Sequence, residues 1–423
     1  MPSLHVGFLP VRAPTKLLSM LSEVDQTFSN SGRYRGSEAK IDPSAQHFEL
    51  RAAFERAICD LLSGEPVEWR GREDSAAIRE FLDTAAYHGV LPLLHAVFRR
   101  HSDLASWPKE IVDACHRAAL AQTGYELLHG AEVERVLAAL ANETITPLLL
   151  KGTGLAYSLY ASPTLRPRAD TDLLVAPEAA GTAHSALAAI GYRRVCGPAG
   201  RYVGYQTQLR RRDAHGLEHD IDLHWRISNV QSFAWMFSFA EMAAATVPVP
   251  ALNSRARRLG NVHALMLCLL HRAGNRMFAT TGVGERLIWL YDIRLLVSAM
   301  TDAELADFRS TAEIKRVGAL AIDGLRCCAD RFPSPRLADL IDALAQSAQA
   351  TTGSALLNAG RWRREWMEFH AIPSRLRLAY VAERALPANE YMRERYPDSL
   401  PTPVTALHVR RWIEGLGKLL LAR

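Results

Sequence analysis

Apolar residues recur at helical spacing from about residue 45 to 140, in FERAICDLL, IREFLDTAAYHGVLPLLHAVF and the long run IVDACHRAALAQTGYELLHGAEVERVLAAL. This stretch predicts a set of packed helices, and Pro108 in SWPKE falls where a first helical turn accepts a proline. Residues 1–44 hold Ser, Gly, Pro and charge in place of periodic apolar positions (SNSGRYRGSEAKIDPSA) and predict a loosely ordered leader. The period changes at Ile145. ITPLLL is a short apolar run ending at Lys151-Gly152, GTGLAYSLY resumes helical spacing, and DTDLLV alternates as a strand. Pro177 opens another helix through HSALAAI, with Gly191 placed as its stop. YRRV, RYVGYQTQL and EHDIDLHW follow as strands with turn residues between them. The predicted order from 145 to 226 is therefore β-α-β-α-β-β-β.

Helices return from about residue 231 (HALMLCLLH, ERLIWLYDIRLLVSAM). The chain closes on a basic amphipathic tail, VRRWIEGLGKLLLAR, expected to dock on the helical part instead of lying on a membrane surface. The predicted class is α+β, mainly α, with a small mixed-sheet core flanked by N- and C-terminal helical domains. The expected divisions are a leader at 1–44, a helical domain at 45–140, the mixed core at 141–250 and a second helical domain at 251–423.

Composition narrows the class. The chain has 423 residues, 48% of them hydrophobic and 22% charged, which excludes a mostly disordered, collagen-like or disulfide-scaffold protein. The formal net charge is +5, and of the 50 basic residues only six are lysines. Arginine so evenly spread predicts a mild preference for anions and no dedicated nucleic-acid-binding module. The six cysteines make no C-x-x-C pair, and Cys327 and Cys328 are adjacent; they read as small core residues in a reducing compartment. No basic start leads into a long apolar stretch, so no secretory signal is expected. The longest clean apolar run, Ala264 to Leu270, falls far short of the roughly 20 residues a bilayer needs, so no membrane span is expected and the predicted location is cytoplasmic.

Three features of the mixed core carry chemistry. Lys151-Gly152-Thr153-Gly154 lies between a strand and a helix, where glycines let backbone N–H groups approach a phosphate and the helix start favours negative charge. Asp170-Thr171-Asp172 lies on a strand, so its two carboxylates share a face; two such groups repel unless a cation lies between them, and oxygen ligands of this kind suit Mg²⁺. His219-Asp220-Ile221-Asp222-Leu223-His224-Trp225 alternates, with Asp220, Asp222 and His224 on one face and apolar residues on the other.

LLLKGTGLAYSLY, RPRADTDLLV, IDLHW and HRAGN with RLIWLYDIRLLV together resemble the bacterial nucleotidyltransferase-like family of the polymerase-beta superfold. The likeness covers roughly residues 85 to 300. It implies a metal-dependent nucleotidyltransferase that moves a nucleoside monophosphate from an NTP to a hydroxyl acceptor, which is a small molecule, a peptide or protein side chain, or an RNA end. Carried over residue by residue, it implies Asp170, Asp172 and Asp222 as metal ligands and catalytic acids, with Asp220 as the alternative third acid. It implies two Mg²⁺ ions, with Mn²⁺ as a substitute. Gly152-Thr153 stands where the family carries its Gly-Ser turn, and Lys151, Gly152, Thr153, Arg166 and Arg168 become nucleotide-binding candidates. The alternative is a catalytically silent member of the superfold that binds a nucleotide or a partner.

Other patterns point elsewhere. His215-Gly-Leu-Glu218-His219 spells the inverted zinc-protease motif, but that motif needs a helix, and Gly216 followed by strict alternation predicts a turn entering a strand. His224 is read as a hydrogen-bond partner of the acidic face, and His263 and His271 as core or interhelical residues. Asp292 is expected to cap a helix or pair with an arginine. Arg210-Arg211-Arg212 and Arg255, Arg257, Arg258 are read as solvated turn charges, with a basic rim for RNA or nucleotide as the alternative.

Overall fold

The computed structural model describes residues 45–69, 75–100, 106–195, 201–277, 285–347, 352–397 and 402–421. The predicted leader and Cys196 lie outside them. Four helices come first: α1 (Ala45–Ser63), α2 (Ser75–His88), α3 (Leu91–Arg100) and α4 (Lys109–Asn142). The mixed region follows as β1 (Leu148–Leu149), α5 (Lys151–Leu159), β2 (Asp170–Leu174), α6 (Ala180–Ala189), β3 (Arg193–Arg194), β4 (Gln206–Arg212) and β5 (Glu218–His224). Two short helices, α7 (Gln231–Ala234) and α8 (Phe239–Ala243), lead to β6 (Thr246–Pro248) and β7 (Arg257–Leu259). The helical remainder comprises α9 (Asn261–Met277), α10 (Leu287–Ala299), α11 (Asp302–Ile314), α12 (Gly318–Arg331), α13 (Pro335–Ser347) and α14 (Thr352–Leu357). It ends with α15 (Arg361–Ala371), α16 (Arg377–Ala385), α17 (Asn389–Arg395) and α18 (Val404–Leu421).

The seven strands form one mixed sheet in the order β3-β4-β5-β2-β1-β7-β6. β2 runs parallel to β5 and antiparallel to β1, while β4 pairs antiparallel with β5. Strand alternation sends Thr171, Leu173, Ile221 and Leu223 to the back of the sheet. There the apolar members pack with Val133, Val136, Leu137 and Leu140 of α4 and Leu187 of α6. Each of those fully buried aliphatic side chains contributes on the order of 1.5–3 kcal/mol. The opposite face joins a larger core in which Phe54, Phe81 and Leu94 of the first helices, Leu148 and Leu174 of the sheet, and Leu269, Ile288 and Leu325 of the later helices form one cluster. The helices on either side of the sheet in sequence thus share one interior.

Local signals explain the boundaries. Gly191 takes φ +94° just past α6, the left-handed stop that glycine adopts without a Cβ clash. Thr301 opens α11 with a capping box: its hydroxyl accepts from the Glu304 N–H at 3.2 Å, and the Glu304 carboxylate accepts from the Thr301 N–H at 2.8 Å. Gly216, at φ +84°, turns the chain into β5, so the H-x-x-E-H stretch is turn and strand and not a helix.

Two expectations are corrected. The sheet continues beyond β5 into β6 and β7, which are only three residues each and lack an alternating pattern. Of the arginines read as turn charges, Arg255 lies in an exposed turn, but the other five lie on strands: Arg210 pairs with Glu218 and Asp220, Arg211 with Glu132, and Arg212 with Glu218. Arg258 on β7 is buried, with its guanidinium donating to the Leu259 carbonyl and to Asn261. At the C-terminus Leu407 of α18 packs with Met392 and Tyr396, and Trp412 Nε1 donates to the Ala385 carbonyl at 2.9 Å, docking the tail on α16 and α17. No helix among the described residues is long and apolar enough to cross a membrane.

Candidate active site

The β2–β5 register places Asp170 opposite Asp220 and Asp172 opposite Asp222. Partners across a parallel pair point the same way, so all four carboxylates rise from the front of the sheet. The four are then divided by what β4 presents. Arg210 grips Asp220 in a fork, Nε to Oδ1 and Nη2 to Oδ2, each at 2.6 Å, and Gln208 donates to the same group. Among the described residues Asp222 receives only a neutral amide, Gln206 Nε2 at 3.0 Å on Oδ2, and its buried Oδ1 has no hydrogen-bond partner. Asn229 in turn donates to the Gln206 carbonyl oxygen at 3.0 Å, ordering that amide. Of the two candidates for third acid, the structure therefore gathers Asp222 beside Asp172 and ties Asp220 to an arginine.

Asp172, Asp222 and His224 offer ligand atoms that all lie within 4.8 Å of one another. His224 Nε2 stands 2.8 Å from Asp172 Oδ1, in line with the hydrogen-bonding role expected of it. It joins the trio in which Asp170 was the expected member; Asp170 lies one strand step away on the same face. Two carboxylates and an imidazole, with one buried carboxylate oxygen unpartnered, suit a divalent cation.

Electrostatics separate the acids. Burial, together with the charges of its neighbours Asp170 and Asp172, pushes Asp222 up to about 7. Burial and Asp172 push Asp170 up to about 6. Burial acts on Asp172 in the same sense but is outweighed there: the Lys151 ammonium and the His224 hydrogen bond hold its carboxyl well below the usual carboxylate range. A set of acids that close cannot all ionise cheaply without added positive charge.

The Lys151-Gly152 turn contributes that charge. Lys151 Nζ lies 3.1 Å from Asp172 Oδ1, and its backbone takes φ +38°, an uncommon conformation for a residue with a side chain. α5 starts here with no side-chain cap, which leaves its first-turn N–H groups available to an anion. A Cβ on Gly152 would meet Arg166 Nη1 at 3.1 Å, so the glycine permits close packing of that arginine. Thr153 points inward; its hydroxyl accepts from Arg168 Nε at 2.9 Å and lies 2.9 Å from the Thr171 hydroxyl.

Arg166 and Arg168, expected as phosphate clamps, are both buried on carboxylates. Arg166 forks onto Asp292 at 3.3 and 2.7 Å, and Tyr160 donates to the same carboxylate at 2.7 Å. Arg168 Nη2 meets Glu126 Oε1 at 2.5 Å. Asp292 thus pairs with an arginine as read from the sequence. His271, read as a core or interhelical residue, stands edge-on to Trp289 with Asn275 on its Nε2. Burial, with the Lys151 charge, pushes it down to about 3, so it stays neutral close to the acids.

The amide strip Gln206, Gln208 and Asn229 and the buried partners Glu126 and His129 were missed from sequence. Alternation in QTQLRRR was the available signal, since it puts Gln206, Gln208 and Arg210 on the same face as the acids.

A family model described as uncharacterised nucleotidyltransferase matches residues 74–333, a span that contains the whole sheet, α4 and the site, and well over half of the 423-residue chain. Among curated proteins none matches.

Proposed function

Because the chain belongs to the uncharacterised nucleotidyltransferase family, we propose that it moves a nucleoside monophosphate from an NTP to a hydroxyl-bearing acceptor, with Mg²⁺ held by Asp170, Asp172, Asp222 and His224. The observation that carries this reading is the register of Asp172 against Asp222, with His224 beside them and a buried Asp222 oxygen without a hydrogen-bond partner among the described residues. Bound Mg²⁺ supplies charge to the triphosphate and lowers the pKa of the acceptor hydroxyl.

The chain's own residues supply the rest. In the reaction the acceptor oxygen bonds to the α-phosphorus, the bond from that phosphorus to the bridging oxygen breaks, and pyrophosphate leaves. Asp222 takes the hydroxyl proton from the acceptor. The first-turn amides of Gly152 and Thr153 hold phosphate oxygens, and Lys151 turns its charge toward the leaving pyrophosphate. Arg166 and Arg168 serve through what they hold: Asp292 beneath the turn and Glu126 behind it.

Pyrophosphate release tests the reading. Purified protein with Mg²⁺, each of the four NTPs and filtered cell extract should release pyrophosphate with at least one nucleotide, and Asp172→Asn should not. Equal release by the folded variant would reject it.

A further inference from the structure

Behind the carboxylates, on the buried face of the sheet, polar side chains of five segments join in one chain. Arg168 Nε meets Thr153 Oγ1 at 2.9 Å, Thr153 Oγ1 meets Thr171 Oγ1 at 2.9 Å, and Thr171 Oγ1 meets His129 Nε2 at 2.9 Å. His129 Nδ1 lies 3.2 Å from His219 Nδ1, and His219 Nε2 lies 3.1 Å from Asp213 Oδ2. Thr153, Thr171, His129 and His219 are all essentially inaccessible to solvent. Such a chain requires that every link have one donor and one acceptor.

Its two ends fix the direction. With one proton on each imidazole, the Asp213 carboxylate, which only accepts, puts the His219 proton on Nε2 and the His129 proton on Nδ1. The Arg168 guanidinium only donates, so Thr153 accepts from it, and its own proton is the one left for Thr171. Thr171 then donates to His129 Nε2, which must be unprotonated. His129 carries its proton on Nδ1 and passes it to His219 Nδ1, and His219 donates from Nε2 to the Asp213 carboxylate. Every link is satisfied with both histidines neutral. The burial of His129, reinforced by the Arg168 charge, pushes that imidazole well below its ordinary range, in agreement with this arrangement.

Thr171 lies between Asp170 and Asp172 on β2, Thr153 lies two residues after Lys151 in α5, and His129 belongs to α4. We propose that His129 and Thr171 are positioning residues: the one-way chain from Arg168 to Asp213 clamps β2 against α4 and α5 and so sets the spacing between the Lys151-Gly152 turn and the Asp170 and Asp172 carboxylates. This role rests on the nucleotidyltransferase reading of the site and adds residues to it that touch neither nucleotide nor metal. Partners that hold metal ligands from behind typically change metal affinity about 10–100-fold when removed.

The test uses the full chain and four substitutions. Thr171→Val removes the hydroxyl and keeps the branched shape, whereas Thr171→Ser keeps the hydroxyl. His129→Asn reaches only toward His219, and His129→Gln reaches only toward Thr171. Folding is followed by circular dichroism and thermal melting, and Mn²⁺ affinity by electron paramagnetic resonance, alone and with α,β-methylene-ATP. Thr171→Val and His129→Asn should weaken Mn²⁺ binding about tenfold or more, while Thr171→Ser and His129→Gln stay close to wild type. Affinities that follow melting temperature, or that are equal in Val and Ser variants, would overturn the proposal. Nitrogen-15 spectra of histidine-labelled wild type should show His129 protonated on Nδ1 and His219 on Nε2; the opposite tautomer of His129 would overturn it too. A folded wild type that binds neither Mn²⁺ nor the analogue would overturn the functional reading and the positioning role with it, and the tautomers would then judge the hydrogen-bonded chain by itself.

Discussion

Lys151 and His224 meet the same oxygen of Asp172, the ammonium at 3.1 Å and the imidazole Nε2 at 2.8 Å. A carboxylate oxygen already engaged from two sides is a poor ligand until one partner moves. Lys151, on a flexible stem at the start of α5, is the partner free to move. His224 is held on β5 between Leu223 and the next turn.

Lys151→Met should therefore have opposite effects on the two ligands. Mn²⁺ affinity without nucleotide should rise, because the competing ammonium is gone. Affinity for α,β-methylene-ATP should fall, by about tenfold for one lost charge-assisted contact. Isothermal titration of each ligand separately reads both. A fall in both affinities would mean that Lys151 organises the site and does not compete within it.

The acids give the pH dependence a definite sign. Asp170 at about 6 and Asp222 at about 7 bind protons in the folded protein that the unfolded chain, near 3.8, has released. Their contribution to stability is present at low pH and is lost as pH rises through those folded values. A cation binding there must displace the same protons. Mn²⁺ affinity should rise with pH through about 6–7, with proton release on binding measurable by titration in buffers of different ionisation enthalpy. Asp222→Asn should raise the melting temperature of the metal-free protein at pH 8 and flatten its pH profile. A lower melting temperature at pH 8 would refute the charge crowding.

Arg166 and Asp292 make a buried pair, each side chain under a tenth exposed. Arg166→Met strands the Asp292 charge and should cost about 3–5 kcal/mol in urea unfolding. Arg166→Met with Asp292→Asn, which keeps an acceptor for Tyr160, should recover much of that loss. If Arg166→Met left stability unchanged and removed nucleotide affinity alone, the guanidinium would be returned to the phosphate-clamping role read from the sequence.

What was legible in the sequence followed strand period. DTDLLV and HDIDLHW alternate cleanly, so Asp170 with Asp172, and Asp220 with Asp222 and His224, could each be placed on one face of its strand; that the two strands lie side by side is seen only in the fold. Gly191 and Gly216 fixed a helix end and a turn by the same local logic. The partners of the arginines were not legible. Arg166 finds Asp292 across 126 positions and Arg168 finds Glu126 across 42. In a chain with arginine everywhere, nothing local distinguishes a buried structural guanidinium from a ligand clamp. What separates Asp220 from Asp222 was equally remote from local pattern, because it is Arg210 on the neighbouring strand that pairs with Asp220. β6 and β7 are too short for alternation to register, and Arg257-Arg258 disguised the second of them as a charged turn.

The central claim, transfer of the α-phosphoryl group with its nucleoside, is tested most directly by position-specific labelling. Wild-type protein and Asp170→Ala/Asp172→Ala are incubated with Mg²⁺, fractionated cell extract and each NTP, labelled with ³²P at either the α or the γ position. α label should appear on a metabolite or macromolecule and γ label in pyrophosphate, with wild type alone. γ label on the acceptor, or transfer that survives loss of both aspartates, would contradict it.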